Sequence, residues 1–594
     1  MQLNGSVSSP LIARLRRDLI TSSFTVETVG ELWGEEAAAA LFRGQRLPAV
    51  RALRRRRVDG VVQSKAETLA AVFVLNVPVS REQLDDALPQ LGSRGAEQLG
   101  LVGPASGQSA PGDHAFVSAR LDLRPYSFVD NFGAGSWWIV SDLGETALGR
   151  PLDVDHVLGV GGASMTLSGL MLTTHVGSVL DLGTGCGIQA MHASRHAERV
   201  VATDISARAL ELAALNAELN AIDNIEFRLG SLYEPVAGER FDQIVSNPPF
   251  VITPRTEGVP LYEYRDAGLV GDALVAAVIR GAEQHLAEGG VAQLLGNWEY
   301  RAGAGAGAGV GAGSNANANA NANEGAGGEG SAGAGAAGGA VEPSDGLDRV
   351  SAWTSETNLD AWVIERELQD AAQYAETWIR DGGTRPGTQE FDELYAAWLD
   401  DFDSRSVKSV GFGYVLLRRR AAPPSGGSTA GRSTVGRSTA GSSTSGTSTS
   451  GTNAARLRRF ERLTDARGSN PAGLGQYFEA SLAGFDWQSA QSDNALLGST
   501  VTYAHDVTEE RHYWPGQENP TVMTLRQGSG FARSVSLDTA LAALVGACDG
   551  DLALGQIIGA LAHLLEADET ELVADLLPRV RGLVNDAFLV PQVE

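Results

Sequence analysis

The sequence predicts an α/β protein in which a seven-stranded, Rossmann-like sheet is flanked by small α+β modules. Three observations carry that prediction. Strand and helix patterns alternate from Val179 to Leu295. The first strand runs into a glycine turn, Val179-Leu180-Asp181-Leu182-Gly183-Thr184-Gly185-Cys186-Gly187. The fourth runs into Asn247-Pro248-Pro249-Phe250, which begins sixty residues beyond Gly187.

The elements follow from the residue pattern. Val179–Leu182 is an apolar strand and Ile188–Ser194 its helix; Val200–Asp204 is the second strand and Ala207–Leu219 a longer helix. Ile225–Arg228 and Phe241–Ser246 supply the third and fourth strands, and a helix over Asp272–Leu286 leads into a fifth, Gly290–Leu295. Ala361–Glu365 and Gly411–Leu417 close the sheet. Sheets of this alternating kind are parallel, with crossover helices on their faces.

At 594 residues the chain exceeds one core, and low-complexity tracts divide it. The expected organisation is an N-terminal helical or α+β recognition module at 1–150 and a core at 151–420, then a linker at 421–453 and a C-terminal α+β module at 454–594. The core carries a disordered Gly/Ala/Asn insertion at 302–344, and the linker is rich in Ser, Thr and Gly. Apolar residues at helical spacing fill the first module, and a winged-helix-like arrangement fits them. In the last, Thr521–Leu525 and Phe531–Val535 flank Gly528-Ser529-Gly530 as a hairpin, ahead of helices at Thr539–Ala547, Leu554–Leu565 and Thr570–Val584.

Composition narrows the function. A net charge of −26 disfavours indiscriminate nucleic-acid coating, although two arginine clusters stand out: Arg51 and Arg54–Arg57, and Arg456, Arg458, Arg459 and Arg462. Two cysteines, Cys186 and Cys548, make neither a disulfide framework nor a cysteine-rich zinc site, which suits a reducing cytoplasm. The scattered histidines, His156 and His175 among them, suggest no metal centre. With no run of 18 apolar residues and no basic-then-apolar leader, neither a membrane span nor secretion is expected.

The motifs carry the chemistry. Gly183, Gly185 and Gly187 form G-x-G-x-G rather than the G-x-G-x-x-G of dinucleotide binders, so a close ligand is expected without a pyrophosphate on the helix. Asp181 can take a ligand ammonium. Asp204, about twenty residues on, can take both hydroxyls of a ribose. In the tetrapeptide, Pro248 drives Asn247 to an extended conformation, and neither proline has an N–H. An acceptor NH2 can therefore donate to the Asn247 side-chain oxygen and the Pro248 carbonyl, while Phe250 stacks on its planar group. Positioning supplies much of the rate, and no strong base is required.

At these residues, over roughly 155 to 300 with closing strands to about 420, the chain resembles the class I S-adenosylmethionine-dependent methyltransferases of the NPPY/NPPF group. That group includes release-factor glutamine, ribosomal RNA guanine and exocyclic-amino adenine methyltransferases. The resemblance implies S-adenosylmethionine as cofactor, with Asp181, Gly183, Gly185 and Gly187 on its methionine part and Asp204 on its ribose. Asn247, Pro248 and Phe250 would hold the acceptor. Ser231 stands where many relatives have an acidic residue near the adenine amino group, and a serine can still accept a hydrogen bond. Ser164, Met165 and Thr166 fall where relatives place a helix covering the cofactor.

The resulting expectation is methyl transfer to a planar NH2 of the translation machinery, either a release-factor glutamine amide or an RNA base. Tyr264-Arg265-Asp266-Ala267-Gly268-Leu269 resembles the corresponding region of glutamine methyltransferases, whereas the arginine clusters lean toward RNA. The alternative is a non-catalytic, cofactor-binding regulatory or nucleic-acid-binding protein, against which the intact tetrapeptide argues.

Overall fold

Eight strands form the central sheet of the computed structural model, which describes residues 5–105, 115–148, 152–261, 265, 268–302, 345–421 and 456–592. In chain order they are β1 (Val176–Leu182), β2 (Ala197–Asp204), β3 (Ile225–Leu229), β4 (Phe241–Ser246), β5 (Leu286–Arg301), β6 (Asp360–Asp370), β7 (Val407–Arg418) and β8 (Arg458–Arg462). Their order across the sheet is β8-β6-β7-β5-β4-β1-β2-β3. The strands from β3 to β5 pair in parallel, while β7 is antiparallel to both β5 and β6.

The seven expected strands are present, and β8 is an addition. It lies beyond the Ser/Thr/Gly tract, yet it pairs in parallel with β6 from Ala361↔Arg458 to Glu365↔Arg462. The segment from 454 therefore does not begin as a separate module. Its first strand finishes the central sheet, and its arginines serve that docking. Arg462 pairs with Asp345 and with buried Glu365. Arg459 pairs with Asp586 and lies over the Trp362 ring. Arg458 donates to the Thr354 hydroxyl, and Arg456 to Asn358. The expected insertion at 302–344 and linker at 421–453 lie almost wholly outside the described residues.

In the N-terminal part, a helix over Lys65–Leu69 continues through π turns at Ala70–Val74. It is followed by strand Val79–Ser80, helices Arg81–Ala87 and Gly92–Gln98, and strands Val102–Pro104 and Phe116–Ala119. The first strand pairs with the third and the third with the second, the element and strand order of a winged helix. The Arg54–Arg57 run closes the helix Leu47–Val58. Arg56 and Arg57 stand 3.5 and 3.7 Å from the Glu67 carboxylate, whose side chain is only 1% exposed, so half of that run neutralises a buried charge.

The module meets the core through the hairpin Leu121–Asp130/Gly133–Asp142. Helix α3 (Ala207–Leu219) follows α1 (Gly162–Leu170) and α2 (Ile188–Ala193), and its side chains substitute for a third strand. The Asn220 amide accepts from Trp138 N–H and donates to its carbonyl, at 2.9 and 2.8 Å. Asn216 does the same for Val140, at 2.7 and 2.9 Å. Alternate strand residues repeat at roughly 6.7 Å and residues four apart on a helix at roughly 6 Å, so two asparagines one helical turn apart fit one strand edge. The Asn216 amide also donates to the Cys186 carbonyl inside the glycine turn, at 2.9 Å. Trp138 fixes the first helices as well, by donating from its indole to the Phe24 carbonyl.

The C-terminal part holds helix Gly475–Ala490, a sheet in which Val522–Gln527 and Ser534–Leu537 form the expected hairpin, and helices Thr539–Gly546, Leu554–Leu564 and Glu569–Asn585. It leans on α1 and on the lead into β1. Leu474 N–H donates to the Gly169 carbonyl, and Glu479 accepts from the N–H groups of Thr173 and Thr174. Both flanking parts thus press on the elements that carry the glycine turn.

Replacing Asn216 with alanine leaves three backbone groups without their partners, and about 2–4 kcal/mol of stability should be lost. Urea unfolding of Asn216→Ala against the parent measures it, and a loss below about 1 kcal/mol would mean that water replaces the amide at no cost.

Candidate active site

The first and fourth strands set the site. In β1 and β4, Leu182 pairs with Ser246, and the Ser246 hydroxyl donates to the Leu182 carbonyl at 2.7 Å. The glycine turn and the tetrapeptide therefore leave the sheet side by side at its carboxyl edge, where open α/β sheets bind ligands.

Gly183 and Gly185 have φ of +77° and +55°, and a Cβ on either would meet no protein atom within 4 Å. They face open space that any side chain would begin to fill. Gly187, at φ +88°, serves a different purpose, because a Cβ there would stand 3.0 Å from that of Ala213 and this glycine admits close packing of α3.

Asp181 is fully buried. Its Oδ2 accepts from the Thr184 hydroxyl at 2.5 Å and from Ala190 N–H at 2.9 Å, while its Oδ1 has no hydrogen-bond partner. The carboxyl braces the turn from beneath instead of reaching outward, and burial pushes its pKa up to about 7. Asp204, at the end of β2, accepts from Gly185 N–H and Ser206 N–H, each at 2.9 Å. Its titration also moves upward, chiefly through burial. Ser231 follows Gly230, whose N–H donates to the Asp204 carbonyl, and the serine is exposed. On α1, the Ser164 carbonyl accepts from Gln189, Met165 is 45% exposed, and Thr166 is half-buried.

On the acceptor side, Asn247 Oδ1 is buried without a hydrogen-bond partner, and Pro248 is buried beside it. An acceptor left bare in this way is costly unless a donor arrives. Phe250 packs against Phe412 of β7, ring centroids 5.5 Å apart and tilted by 50°. Phe412 is not singled out by the sequence, since its place beside the tetrapeptide follows only from the strand order. Thr184 was missed as well, although a hydroxyl three residues after a buried aspartate is a usable signal. Of the segment resembling glutamine methyltransferases, Tyr264, Asp266 and Ala267 lie outside the described residues; Arg265 is buried and donates to the Trp378 carbonyl.

Other chemistries find less support. Burial pushes the Cys186 thiol up to about 11, which leaves it un-ionised at neutral pH. His156 is held neutral mainly by burial. Among the described residues no group of three or more His, Cys, Asp or Glu could hold a metal ion, and no helix is long and apolar enough to cross a membrane.

This arrangement is that of a class I S-adenosylmethionine-dependent methyltransferase domain, and residues 160–303 match the family described as methyltransferase small domain. Flanking segments 21–112 and 479–591 match two domain families of unknown function. Over 132 residues the chain is 42% identical to "Release factor glutamine methyltransferase" of Xylella fastidiosa, covering 21% of this chain and 48% of that protein. Over 121 residues it is 39% identical to "Ribosomal protein uL3 glutamine methyltransferase" of Xanthomonas campestris pv. campestris, covering 19% and 39%. It thus spans about half the length, or less, of these relatives. A solved structure of ribosomal protein L11 methylase from Lactobacillus delbrueckii subsp. bulgaricus is 28% identical over 23% of this chain and 59% of that one, with a TM-score of 0.18. The residues present fit S-adenosylmethionine: open space lies before Gly183 and Gly185, and the Asp204 carboxylate, a group able to accept from ribose hydroxyls, is tied to Gly185 N–H.

A pH dependence follows for the ligand-free protein. Because the folded-state pKa of Asp181 is raised, the folded state keeps a proton that the unfolded chain has lost. The associated stability is fully present below about pH 4 and is lost as pH rises through about 7. Urea unfolding from pH 5 to pH 8 should show a steeper decline for the parent than for Asp181→Asn; equal slopes would place the proton elsewhere.

Proposed function

We propose that the protein methylates the nitrogen of a planar NH2 group on a translation-machinery macromolecule, using S-adenosylmethionine, and that the acceptor is a glutamine amide in a protein. The carrying observation is the bare, buried Oδ1 of Asn247, next in the chain to Pro248, whose following residue is a proline without an N–H. Asp204 would hold the ribose, with the backbone at Gly183 and Gly185 against the methionine part. Bound there, S-adenosylmethionine supplies a sulfonium-activated methyl group. The chain's own residues do the rest. Asn247 Oδ1 and the Pro248 carbonyl accept the two amide hydrogens, which fixes the amide plane so that one face of its nitrogen is presented to the cofactor side, and Phe250 and Phe412 border the acceptor. Once nitrogen carries the methyl group its proton is acidic and passes to solvent water, so positioning supplies much of the acceleration.

Protein is favoured over RNA because the arginines that pointed to RNA are largely engaged within the chain. Arg456, Arg458, Arg459 and Arg462 anchor β8, and Arg56 and Arg57 face Glu67. With a net charge of −26, little basic surface remains for a phosphate backbone. The names of the similar proteins, which act on release-factor and ribosomal-protein glutamines, support the same choice. The non-catalytic alternative has no such support, since an inactive core has no use for an unpaired acceptor poised beside a ligand pocket.

Incubation with tritiated S-adenosylmethionine and separated cellular RNA and protein should label the protein fraction, release factors and ribosomal proteins first. Asn247→Ala should lower turnover by about 10²–10³-fold with cofactor affinity preserved, as expected when a positioned transition-state contact is lost. Label in RNA alone would replace the acceptor class, and label in neither fraction would end the methyltransferase reading.

A further inference from the structure

The tetrapeptide has an anchoring problem. Its two prolines supply no N–H groups, and the proposed chemistry needs the Pro248 carbonyl and the Asn247 amide oxygen left for the acceptor. The segment must then be held from its ends. Upstream, Ser246 is secured to β1. Downstream, Ile252 N–H donates at 3.0 Å to the hydroxyl of Tyr374.

Tyr374 comes from an insertion between β6 and β7. Helices α4 (Ala273–His285) and α5 (Gly346–Ser355) precede it; α6 (Ala371–Asp381) and α7 (Gln389–Ser404) form it. Because β6 runs parallel to the first five strands, this helical hairpin starts at the edge where the tetrapeptide emerges. Asp370 caps α6 by accepting from Gln373 N–H, and Thr388 caps α7 by accepting from Phe391 N–H. The inner faces of the helices pack Tyr374, Ile379, Phe391, Trp398 and Phe402 against Val251 and Ile252.

Two donors fix the Tyr374 oxygen. Besides Ile252 N–H, the side-chain amide of Asn297 donates to it at 2.6 Å, and Asn297 stands on β5 opposite Phe412, the ring against Phe250. Burial inside an aromatic cluster raises the phenol's pKa, outweighing the two donors that act in the other direction, and keeps it neutral. One turn further along α6, the Trp378 carbonyl accepts from Arg265. A single helical turn therefore clasps the chain after the tetrapeptide at two places, Ile252 and Arg265. The contact at Ile252 lies two residues from Phe250.

Resting on the function proposed above, we propose that Tyr374 is a positioning residue for methyl transfer: through its hydrogen bond to Ile252 and its lock on Asn297, the inserted hairpin sets the exit angle of the tetrapeptide and so the placement of Asn247, Pro248 and Phe250. It touches neither cofactor nor acceptor. A role limited to stability would lower the folded fraction and leave the kinetics of folded molecules alone. A positioning role alters kcat in fully folded protein.

Tyr374→Phe removes the hydroxyl and keeps the ring, and Asn297→Ala leaves the hydroxyl present but loosely held. Amide exchange by mass spectrometry on the full-length chain should show exchange at Ile252 rising about tenfold in Tyr374→Phe, with the turn Gly183–Gly187 unchanged. In folded protein, with release factor as acceptor, kcat should fall about tenfold or more in Tyr374→Phe and less in Asn297→Ala, while the dissociation constant for S-adenosylmethionine stays within about twofold. Unaltered exchange at Ile252 overturns the inference whether or not the parent transfers a methyl group. So does altered exchange with unaltered kcat. A parent that labels no acceptor fails the function instead, and the exchange result still decides whether Tyr374 holds the segment.

Discussion

Everything at the site depends on β1 and β4 being nearest neighbours in a parallel sheet. Parallel pairing places both carboxyl ends on one edge, and the bond from Ser246 to Leu182 sets them level. A glycine turn and a tetrapeptide sixty residues apart in sequence become adjacent at one sheet edge. The remainder of the fold protects that alignment. The buried Asp181 stiffens the turn from below, α3 presses on it at Gly187, and the hairpin of α6 and α7 holds the tetrapeptide from the far side.

The flanking parts, whose families carry no assigned function, are joined to this arrangement by polar contacts as well as apolar ones. Asn216 is shared between a strand of the N-terminal part and the carbonyl of Cys186, so displacement of that part would be felt in the glycine turn. The C-terminal part reaches α1 and the lead into β1 through Leu474 and Glu479. Neither resembles a tethered accessory. Both are bonded to elements next to the glycine turn, and the winged-helix order of the first is here joined to an arginine run that partly serves a buried glutamate.

Much of the core was legible because its signals are local. The helix Ala207–Leu219 was delimited to the residue, with Ser206 as its cap and Asn220 at its end, and the apolar runs of β1 and β4 identify themselves. What stayed hidden depends on contacts across long separations. Arg458-Arg459-Phe460-Glu461-Arg462 looks like a charged loop start until Glu365, Asp345 and Asp586 are brought opposite it. Three glycines in one motif look equivalent until Ala213 arrives beside the last of them. Tyr374 looks like any core tyrosine, and only the path of the chain after Phe250 gives its hydroxyl a purpose.

The late strand β8 also makes assembly a matter of timing. As the chain leaves the ribosome, seven strands can pair once Arg418 has emerged, but β6 then remains an open edge, a template for any passing strand. Along that edge stand two carboxylates: Asp360, which pairs with Arg418 and Arg420 and also accepts from Leu457 N–H, and Glu365, whose cationic partner is Arg462 of β8. Glu365 makes that edge selective: a basic strand balances its buried carboxylate, while an acidic or apolar one would leave it without a cation. Arg462 thus matches the closing segment to the edge that it covers.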